Sequence, residues 1–274
     1  MILPAALFYI VAFLVPLGRV VELSFMKTDF VTSSFVGLRN YRDAFEDSVF
    51  LNTFFTAGLY VLMVVPVSVF ISYRLSVSLA ELPRRTRTSA QAALYLPTLT
   101  AGIIISFVWR WVFGRGGIIA LGMDALGFEP IAWFANAGTA RGVIAFAVIF
   151  SAIGGNCVWL VSVLLGVPRE LVDQARVDGA GSREVRRYVI FPWMRNTLLL
   201  LGLLQAIGAL QYWEVIYSLT SGGPFRSTET PIYDIYQTAF TYGKHGLAAA
   251  KSLMLLVTVA VFLAAKRVLE KRRA

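Results

Sequence analysis

The chain has 274 residues, of which 57% are apolar and only 15% are charged. Its mean hydropathy of +0.69 lies well outside the range of soluble globular domains, which excludes that class. The net charge of +9 does not indicate nucleic-acid binding, because the basic residues separate apolar runs instead of forming a stripe. A single cysteine, Cys157, and a single histidine, His245, exclude an intramolecular disulfide and metal sites built from clustered Cys or His.

Six apolar windows are long enough to cross a membrane as helices, which takes about 20 residues each. They cover residues 2–25, 54–79, 90–113, 142–167, 197–219 and 247–265. The first window lacks a basic leading region and a small-residue cleavage site, so we interpret it as a retained span and not a signal peptide. The pattern predicts an all-α, polytopic membrane protein with six transmembrane helices and a single domain over residues 1–274.

The basic residues predict the orientation of these spans, because Lys and Arg concentrate on the cytoplasmic side of a membrane. Fifteen of them follow the second, fourth and sixth spans, whereas seven lie in the other connections. Both termini are therefore expected in the cytoplasm. The long connections 26–53, 114–141 and 220–246 are expected outside, where they are candidate docking surfaces.

The connection between the fourth and fifth spans, residues 168–195, is polar but patterned. Pro168 suits the first turn of a helix, and Gly179 or Gly181 can adopt the left-handed backbone that ends it. Ser182 can then cap a second helix, which continues toward Pro192 and the fifth span. The pattern predicts two helices joined by a glycine turn at the cytoplasmic face, an element able to transmit force to another protein.

This segment resembles the E-A-A, three residues, G, nine residues, I-x-L-P signature of permease subunits in bacterial binding-protein-dependent ABC importers. Asp173-Gln174-Ala175 stands in place of E-A-A, Gly179 in place of the glycine, and Val189, Phe191 and Pro192 in place of I, L and P. Gln174 departs from the pattern, so the resemblance does not imply a close helix contact at that position.

Further motifs follow the order found in the sugar-type permeases. They are Phe35-Val36-Gly37-Leu38-Arg39-Asn40-Tyr41, Leu96-Pro97, Trp109-Arg110-Trp111-Val112-Phe113, Ala175-Arg176-Val177-Asp178-Gly179-Ala180, Thr220-Ser221-Gly222-Gly223-Pro224 and Thr228-Glu229-Thr230. The resemblance covers nearly the whole chain. It implies the fold of a type I ABC importer permease in the bacterial cytoplasmic (inner) membrane, and import of a sugar or related carbohydrate by alternating access.

The resemblance also implies the partners and the coupling residues. The partners would be a second homologous permease, two ATPase subunits that bind ATP and Mg²⁺, an extracytoplasmic substrate-binding protein and membrane lipid. No cofactor is expected in this chain, which lacks the G-x-x-x-x-G-K-[ST] motif, so ATP would be hydrolysed by another polypeptide. The segment 168–195 would be the coupling loop, with contacts to the ATPase from Leu171, Asp173, Ala175, Arg176, Asp178 and Gly179.

Polar side chains inside apolar spans are candidates for the translocation path, because such groups are costly in a membrane and usually face protein or a cavity. They are Asn156, Gln205, Gln211, Tyr212 and Glu214. The alternative is that Asn and Gln simply bond between helices and that the aromatic residue lies at the membrane interface. Similarly, Arg110 is either an anchor or part of an extracellular gate, and Lys251 is expected to form an interhelical pair.

Three other functions would place different requirements on the sequence. An ion-coupled secondary transporter would require buried Asp, Glu or His relays, whereas the charged residues here cluster near the span ends. A membrane enzyme would require paired carboxylates or a nucleophile with its base, and the sequence shows no catalytic residues of this kind. Within the ABC class, a polyol or a glycerol phosphodiester could replace the sugar. The sequence leaves open the solute, the subunit that holds its main site, and whether the native chain begins upstream of Met1.

Overall fold

The computed structural model describes residues 3–28, 32–100 and 102–271, with side chains described up to residue 264. Three residues of the predictions lie outside the described residues: Met1 at the start of the chain, Ile2 in the first predicted span and Ala101 in the third. The same holds for Arg272 and Arg273 of the charge count. The described part is helical almost throughout, which confirms the all-α class, although a two-stranded sheet is also present.

Among its described residues, the first half of the chain contains seven helices and the two strands. They are α1 (Leu3–Tyr9), a π-helical turn (Ile10–Leu14), α2 (Val15–Ser24), β1 (Met26–Thr28), β2 (Ser33–Phe35), α3 (Arg39–Glu46), α4 (Ser48–Ala80), α5 (Arg84–Leu99), α6 (Gly102–Val112) and α7 (Ile118–Ala125). The strands are antiparallel, with Lys27 opposite Ser34.

The second half contains seven further helices and two π-helical turns. They are α8 (Ala137–Leu164), α9 (Arg169–Val177), α10 (Ser182–Val185), a π-helical turn (Arg186–Ile190), α11 (Phe191–Ala209), α12 (Glu214–Leu219), α13 (Pro231–Tyr236), a π-helical turn (Gln237–Thr241) and α14 (His245–Lys271).

Five continuous helical stretches of the described residues are long and apolar enough to cross a membrane. They are Pro4–Ser24, Ser48–Ala80, Ala137–Leu164, Ser182–Ala209 and His245–Ala264. The sixth is the pair α5 and α6, which meet at an angle of 90°. The six predicted spans are therefore recovered when this bent pair counts as one, but the third is not a single straight helix.

The bend has a local cause at the end of α5. Pro97 cannot donate a backbone hydrogen bond, and Thr100 adopts an extended backbone with φ −78° and ψ 132°. The amide of Thr100 bonds only three residues back, to the carbonyl of Pro97, at 3.3 Å. The helix consequently ends at Leu99, within the predicted window.

The fifth span differs from the prediction at both ends. Its helix begins at Ser182 and ends at Ala209, whereas the predicted window was 197–219. At the start, a π-helical turn precedes Pro192 and accommodates the hydrogen bond that this proline cannot donate. The predicted second cytoplasmic helix is therefore continuous with the span. At the end, residues 210–213 leave the helix, and the carbonyl of Tyr212 accepts the hydroxyl of Thr230 at 2.8 Å.

The structure divides into two compact units, each with its own core. The first comprises residues 1–57, 210–213 and 229–274, and its buried core joins α4, α13 and α14 through Phe50, Ala57, Ile235 and Leu255. Asn40 in α3 donates to the carbonyls of Ser24 and Met26, at 2.8 and 2.9 Å, and thereby fastens α3 to the end of α2.

The second unit comprises residues 58–209 and 214–228. Its core joins α4, α8 and α11 through Val77, Leu160, Leu164, Met194 and Leu201. Helices α5 and α8 also approach closely, because Gly154 lies against the backbone of Leu94 and Tyr95. The prediction of a single domain over residues 1–274 is not decided by this division and stays a prediction.

Candidate functional site

The segment 168–195 contains the predicted glycine turn. Helix α9 ends at Val177, and Gly179 follows with a positive φ of 86°. The amide of Ala180 donates to the carbonyl of Ala175 at 2.9 Å, and the amide of Gly179 donates to that of Arg176 at 3.0 Å. These two bonds form a Schellman motif, which requires a left-handed residue at the position of the glycine. The sequence offered Gly179 or Gly181 for this turn, and Gly179 is the one that ends the helix, since Gly181 has a φ of −73°.

The prediction for Ser182 is wrong, because this residue is the first of α10 and not its cap. Gly181 occupies the N-cap position, and no side chain caps the helix there. A serine at the first helical position has its own amide inside the helix, so its hydroxyl no longer reaches the second or third amide.

The predicted coupling residues lie on the short helix α9 and in the turn that follows it. Leu171 is 42% exposed, and Asp173, Arg176, Asp178 and Gly179 are exposed, while Ala175 is half-buried. Asp173 and Arg176 form a weak ion pair, with 3.8 Å between Oδ1 and Nη1. The segment thus presents both an apolar residue and charged groups at its surface.

Two of the predicted path residues lie in one row of interhelical hydrogen bonds. Asn156 in α8 donates to the hydroxyl of Ser72 at 3.3 Å, and Gln205 in α11 accepts from the hydroxyl of Ser68 at 2.5 Å. Ser68, Ser72 and Ser76 recur every four residues on α4 and are fully buried. The sequence analysis missed this serine stripe, although its spacing on an apolar helix is visible and small residues there allow close helix packing.

The oxygen and the nitrogen of the Gln205 side-chain amide differ in their partners. Its Oε1 is occupied by Ser68, but its Nε2 is buried with no hydrogen-bond partner among the described residues. An unmade hydrogen bond of a buried amide is costly, so this donor is available to a solute or water.

Gln211, Tyr212 and Glu214 lie beyond the end of the fifth-span helix, not within it. Gln211 is exposed, and Tyr212 is half-buried. Glu214 begins α12, where its exposed carboxylate lies against Gly102 at the start of α6. The N-terminal end of a helix favours negative charge, which accounts for this placement.

Two arginines hold the ends of helices in the second unit. Arg110 Nη1 donates to the carbonyl of Ser218 at 3.1 Å, so Arg110 anchors α6 to α12. Arg141 Nε donates to the carbonyl of Ser227 at 2.8 Å, in the loop that follows α12. The hydroxyls of Thr220 and Thr228 are 2.8 Å apart and close the same loop. At its tip the side chain of Phe225 is fully exposed.

An ion-pair cluster lies in the first unit. Lys251 Nζ is 2.7 Å from Asp234 Oδ2, 2.8 Å from Asp47 Oδ2 and 3.1 Å from the hydroxyl of Thr238. The side chains of Lys251 and Asp234 are each 2% exposed. The interhelical pair expected for Lys251 is therefore present, with two acidic partners instead of one.

Asp47 also caps α4, since its Oδ1 accepts the amides of Val49 and Phe50 at 3.0 and 3.1 Å. Burial raises the pKa of the Asp47 carboxyl, but the hydrogen bond and charge of Lys251 and the two backbone amides outweigh this effect. The net pKa is lowered from its ordinary value, so the carboxylate is charged at neutral pH.

An open polar groove of about 680 Å³ adjoins this cluster in the first unit. Lys27, Arg39, Asp43, Asp47 and Lys244 contribute its charges. Within the described ranges, no three His, Cys, Asp or Glu side chains are grouped in a way that could hold a metal ion.

Comparison with known proteins gives relatives along nearly the whole chain. A sulfoquinovosyl glycerol transport system permease protein, SmoG of Agrobacterium fabrum, is 28% identical over 258 residues, which are 92% of this chain and 83% of the relative. The sn-glycerol-3-phosphate transport system permease protein UgpA of Pectobacterium atrosepticum is 28% identical over 267 residues, which are 94% and 88% of the two chains.

The fold is also similar to that of a solved transporter. A bacterial alginate ABC transporter, crystallised in complex with an alginate pentasaccharide-bound periplasmic protein, matches with a TM-score of 0.84 at 17% identity. The match covers 99% of this chain and 93% of the other. The predicted ABC permease fold is confirmed.

The family model described as "Binding-protein-dependent transport system inner membrane component" matches residues 50–274. Such components are permease subunits whose ATPase is a separate subunit, so the chain is a transport protein of the inner membrane and not an enzyme. The main interpretation is thereby favoured over an ion-coupled transporter. This chain belongs to the family of inner membrane components of binding-protein-dependent ABC importers.

Proposed function

We propose that this chain lines half of the translocation path of an importer for a carbohydrate or glycerol-derived solute. The relatives SmoG and UgpA are named for sulfoquinovosyl glycerol and sn-glycerol-3-phosphate, both of which carry glycerol hydroxyls. The second half of the path would come from a homologous permease, and an extracytoplasmic binding protein would deliver the solute. Two ATPase subunits would bind ATP and Mg²⁺, and their closure would open the cavity outward.

The proposed orientation places both termini and the segment 168–195 in the cytoplasm, as supported by the distribution of Lys and Arg. Single cysteines introduced at Arg186 and at Arg226, in a Cys157→Ser background, should be labelled from opposite sides of the membrane. Labelling of the Arg186→Cys variant from outside intact cells would contradict the orientation.

The observation that carries the coupling proposal is the short, exposed helix α9 with its Schellman end at Gly179. In this proposal Leu171 and Ala175 pack in a groove of the ATPase, while Asp173, Arg176 and Asp178 make polar contacts there. Gly179 lies in the turn between α9 and the long helix that begins at Ser182, and it sets the angle between these two helices. Movement of the ATPase is then transmitted to the fifth span, because α10, the π-helical turn and α11 are continuous.

The test compares two glycines of the same loop. Gly179 has φ +86°, whereas Gly181 has an ordinary φ of −73°. Gly179→Val should strain the backbone by about 1 to 3 kcal/mol and disturb the turn. Gly181→Ser should not, because serine is a favoured N-cap residue and the nearby end of the Glu184 side chain can move aside. The purified importer is assayed for retained ATPase subunit and for hydrolysis stimulated by the loaded binding protein.

We expect Gly179→Val to release the ATPase or to uncouple hydrolysis from uptake, and Gly181→Ser to behave like the wild type. Asp173→Lys should have a similar effect through its reversed charge, with membrane insertion retained. Normal assembly and normal stimulated hydrolysis in both Gly179→Val and Asp173→Lys would show that α9 is not the coupling element.

The proposed path residues are Asn156, Gln205, Gln211, Tyr212 and Glu214. Gln205 is supported best, because its free Nε2 can donate to a solute hydroxyl. Gln205→Glu keeps the acceptor for Ser68 and removes the donor, whereas Ser68→Ala removes only the interhelical bond. A raised half-saturating concentration for uptake in Gln205→Glu, and not in Ser68→Ala, would support solute contact. Equal uptake in Gln205→Glu and the wild type would remove this residue from the path.

A further inference from the structure

A basic cavity of about 470 Å³ lies in the second unit, between the end of α4 and the start of the helix that begins at Ser182. It is separate from the coupling residues of α9 and from the proposed path. Helix α4 contributes Tyr73, Arg74, Val77 and Ser78 to its walls. The facing segment contributes Ser182, Arg183, Arg186, Arg187 and Phe191.

The charge of this cavity is strongly unbalanced. Arg186 is paired with Glu81, with 3.1 Å between Nη2 and Oε1. No carboxylate of the described residues lies within 4.0 Å of the guanidinium groups of Arg74, Arg183 and Arg187. Three uncompensated guanidinium groups around one opening favour an anion, and guanidinium groups bind phosphate oxygens through paired hydrogen bonds.

Apart from Ser78 and Ser182, the remaining walls of the cavity are apolar or aromatic. The rings of Tyr73 and Phe191 meet edge to face, with their centroids 6.0 Å apart, and Val77 lies beside them. One helical turn away from Arg74 along α4, toward the middle of the span, Phe70 is 64% exposed. The site therefore offers guanidinium groups at the end of the span and an apolar surface along it, which suits a ligand with an anionic head and a hydrocarbon chain.

Aromatic side chains near the cavity indicate its depth in the membrane. Tyr188 and Trp193, on the same helix as Arg187, are 68% and 45% exposed. Tyr and Trp concentrate where a membrane meets water, and basic pockets between spans at the cytoplasmic face are suited to anionic lipid head groups. The arginines consequently lie at head-group level in the orientation proposed above.

We propose that this cavity binds the phosphate head group of an anionic phospholipid from the cytoplasmic leaflet, with an acyl chain lying over Phe70. The phosphate would bridge Arg74 of α4 and Arg183 of α10. Because α10 directly follows the coupling segment, the lipid would tie that segment to the membrane surface. Coupled ATP hydrolysis should therefore depend on anionic lipid.

The test uses the complete importer in nanodiscs of phosphatidylcholine, with or without phosphatidylglycerol. Arg74→Gln and Arg183→Gln remove charges from the cavity without touching the Arg186 ion pair. Arg85→Gln, on the exposed start of α5, is the matched control. Phosphatidylglycerol retained by the purified complex is measured by mass spectrometry, and stimulated ATP hydrolysis is measured in the same nanodiscs.

We expect about fivefold weaker lipid retention for each arginine removed from the cavity, and wild-type retention in Arg85→Gln. Arg74→Lys should retain most of the lipid, since it keeps the charge. Wild-type retention in Arg74→Gln and Arg183→Gln would overturn the proposal. So would equal loss in Arg74→Lys and Arg74→Gln, because the cause would then not be charge.

Two further outcomes would identify a different ligand. Restoration of hydrolysis by inorganic phosphate in nanodiscs of phosphatidylcholine alone would indicate a soluble anion and overturn the lipid site. Loss of the ATPase subunit from the variants in both lipid mixtures would indicate a protein interface, which also overturns it. Stimulation of the wild type by phosphatidylglycerol, absent in the double variant, is the result expected.

Discussion

Lys251 is a charged residue within an apolar helix, and its partners explain how it is tolerated there. Its ammonium group is shared by Asp47, Asp234 and the hydroxyl of Thr238, and it also lies 4.9 Å from the ring centre of Phe50. These contacts tie α14 to the start of α4 and to α13 within the first unit. Removal of the Lys251 charge would break the ion pairs of the buried Asp234 carboxylate and of the half-buried Asp47 carboxylate.

Lys251→Met should therefore destabilise the first unit by about 3 to 5 kcal/mol, the cost of breaking a buried ion pair from one side. Lys244→Met is the matched control, because Lys244 is exposed in the connection before the same helix. Thermal unfolding of the purified protein in detergent measures the effect. Identical unfolding temperatures for the two variants would show that the cluster contributes nothing to stability.

The lowered pKa of Asp47 predicts a particular pH dependence. Its carboxylate is stabilised in the folded state by Lys251 and two backbone amides, so the folded pKa lies below that of the unfolded chain. The stability gained is complete above the unfolded pKa of about 3.9 and is lost as the pH falls through the folded pKa. We expect the difference in unfolding temperature between the wild type and Asp47→Asn to be constant from neutral pH to about pH 5 and to shrink below that range. A difference that grows on acidification would contradict this assignment.

At the scale of elements, the crossing of α5 and α8 depends on Gly154. A Cβ atom at this position would lie 2.7 Å from the carbonyl carbon of Leu94 and would overlap its oxygen. Because these are backbone atoms of a helix, no side-chain rotation can relieve the contact. The adjacent Gly155 is different, since a Cβ there would meet its nearest atom, in the side chain of Thr98, at 3.7 Å.

Gly154→Ala should consequently lower the unfolding free energy by about 1 to 3 kcal/mol, the usual cost of overpacking, while Gly155→Ala should have little effect. Both variants add one methyl group to the same helix, so the comparison isolates the contact with α5. The readout is the fraction of protein that stays monodisperse after heating in detergent. Equal losses in the two variants would rule out the close crossing as the cause.

The sequence predicted the spans well because length and hydropathy dominate the free energy of a helix in a membrane. It failed where local geometry decides the outcome. The π-helical turn before Pro192 joins into one helix what was predicted as a second cytoplasmic helix and a separate fifth span. The extended backbone at Thr100 divides a span that was predicted as one helix. Both features depend on which backbone groups find partners, and hydropathy carries no information about that.

In the candidate site too, some features could be predicted from the sequence and others could not. The glycine turn was predicted, because a left-handed residue after a short helix has a local sequence signature, but the sequence did not decide between Gly179 and Gly181. The partners of Lys251 were not identified, since Asp47 is separated from it by 204 residues. Likewise, Asn156 and Gln205 were noticed as polar, but the stripe of serines that bonds to them on α4 was not.

At the scale of the whole molecule, a binding-protein-dependent importer requires an external surface on which its binding protein can dock. The loop after α12 has features of such a surface in the second unit. Phe225 is fully exposed at its tip, and Ser221, Phe225 and Arg226 have positive φ angles of 49°, 50° and 60°. Strained residues persist only where their surroundings hold them, and here Arg141 and Thr228 provide hydrogen bonds on either side.

A rigid loop that displays an aromatic residue to solvent suits an interface anchor, because little conformational entropy is lost when it binds. Phe225→Ala should weaken binding of the solute-loaded binding protein to the purified importer by about 2 kcal/mol, or roughly 30-fold in Kd. Phe225→Tyr is the matched control, since it keeps an aromatic ring at the same exposed position of the loop. Binding is measured by surface plasmon resonance on importer in nanodiscs. We expect the loss only in Phe225→Ala, and an unchanged Kd in that variant would exclude this loop tip as the anchor.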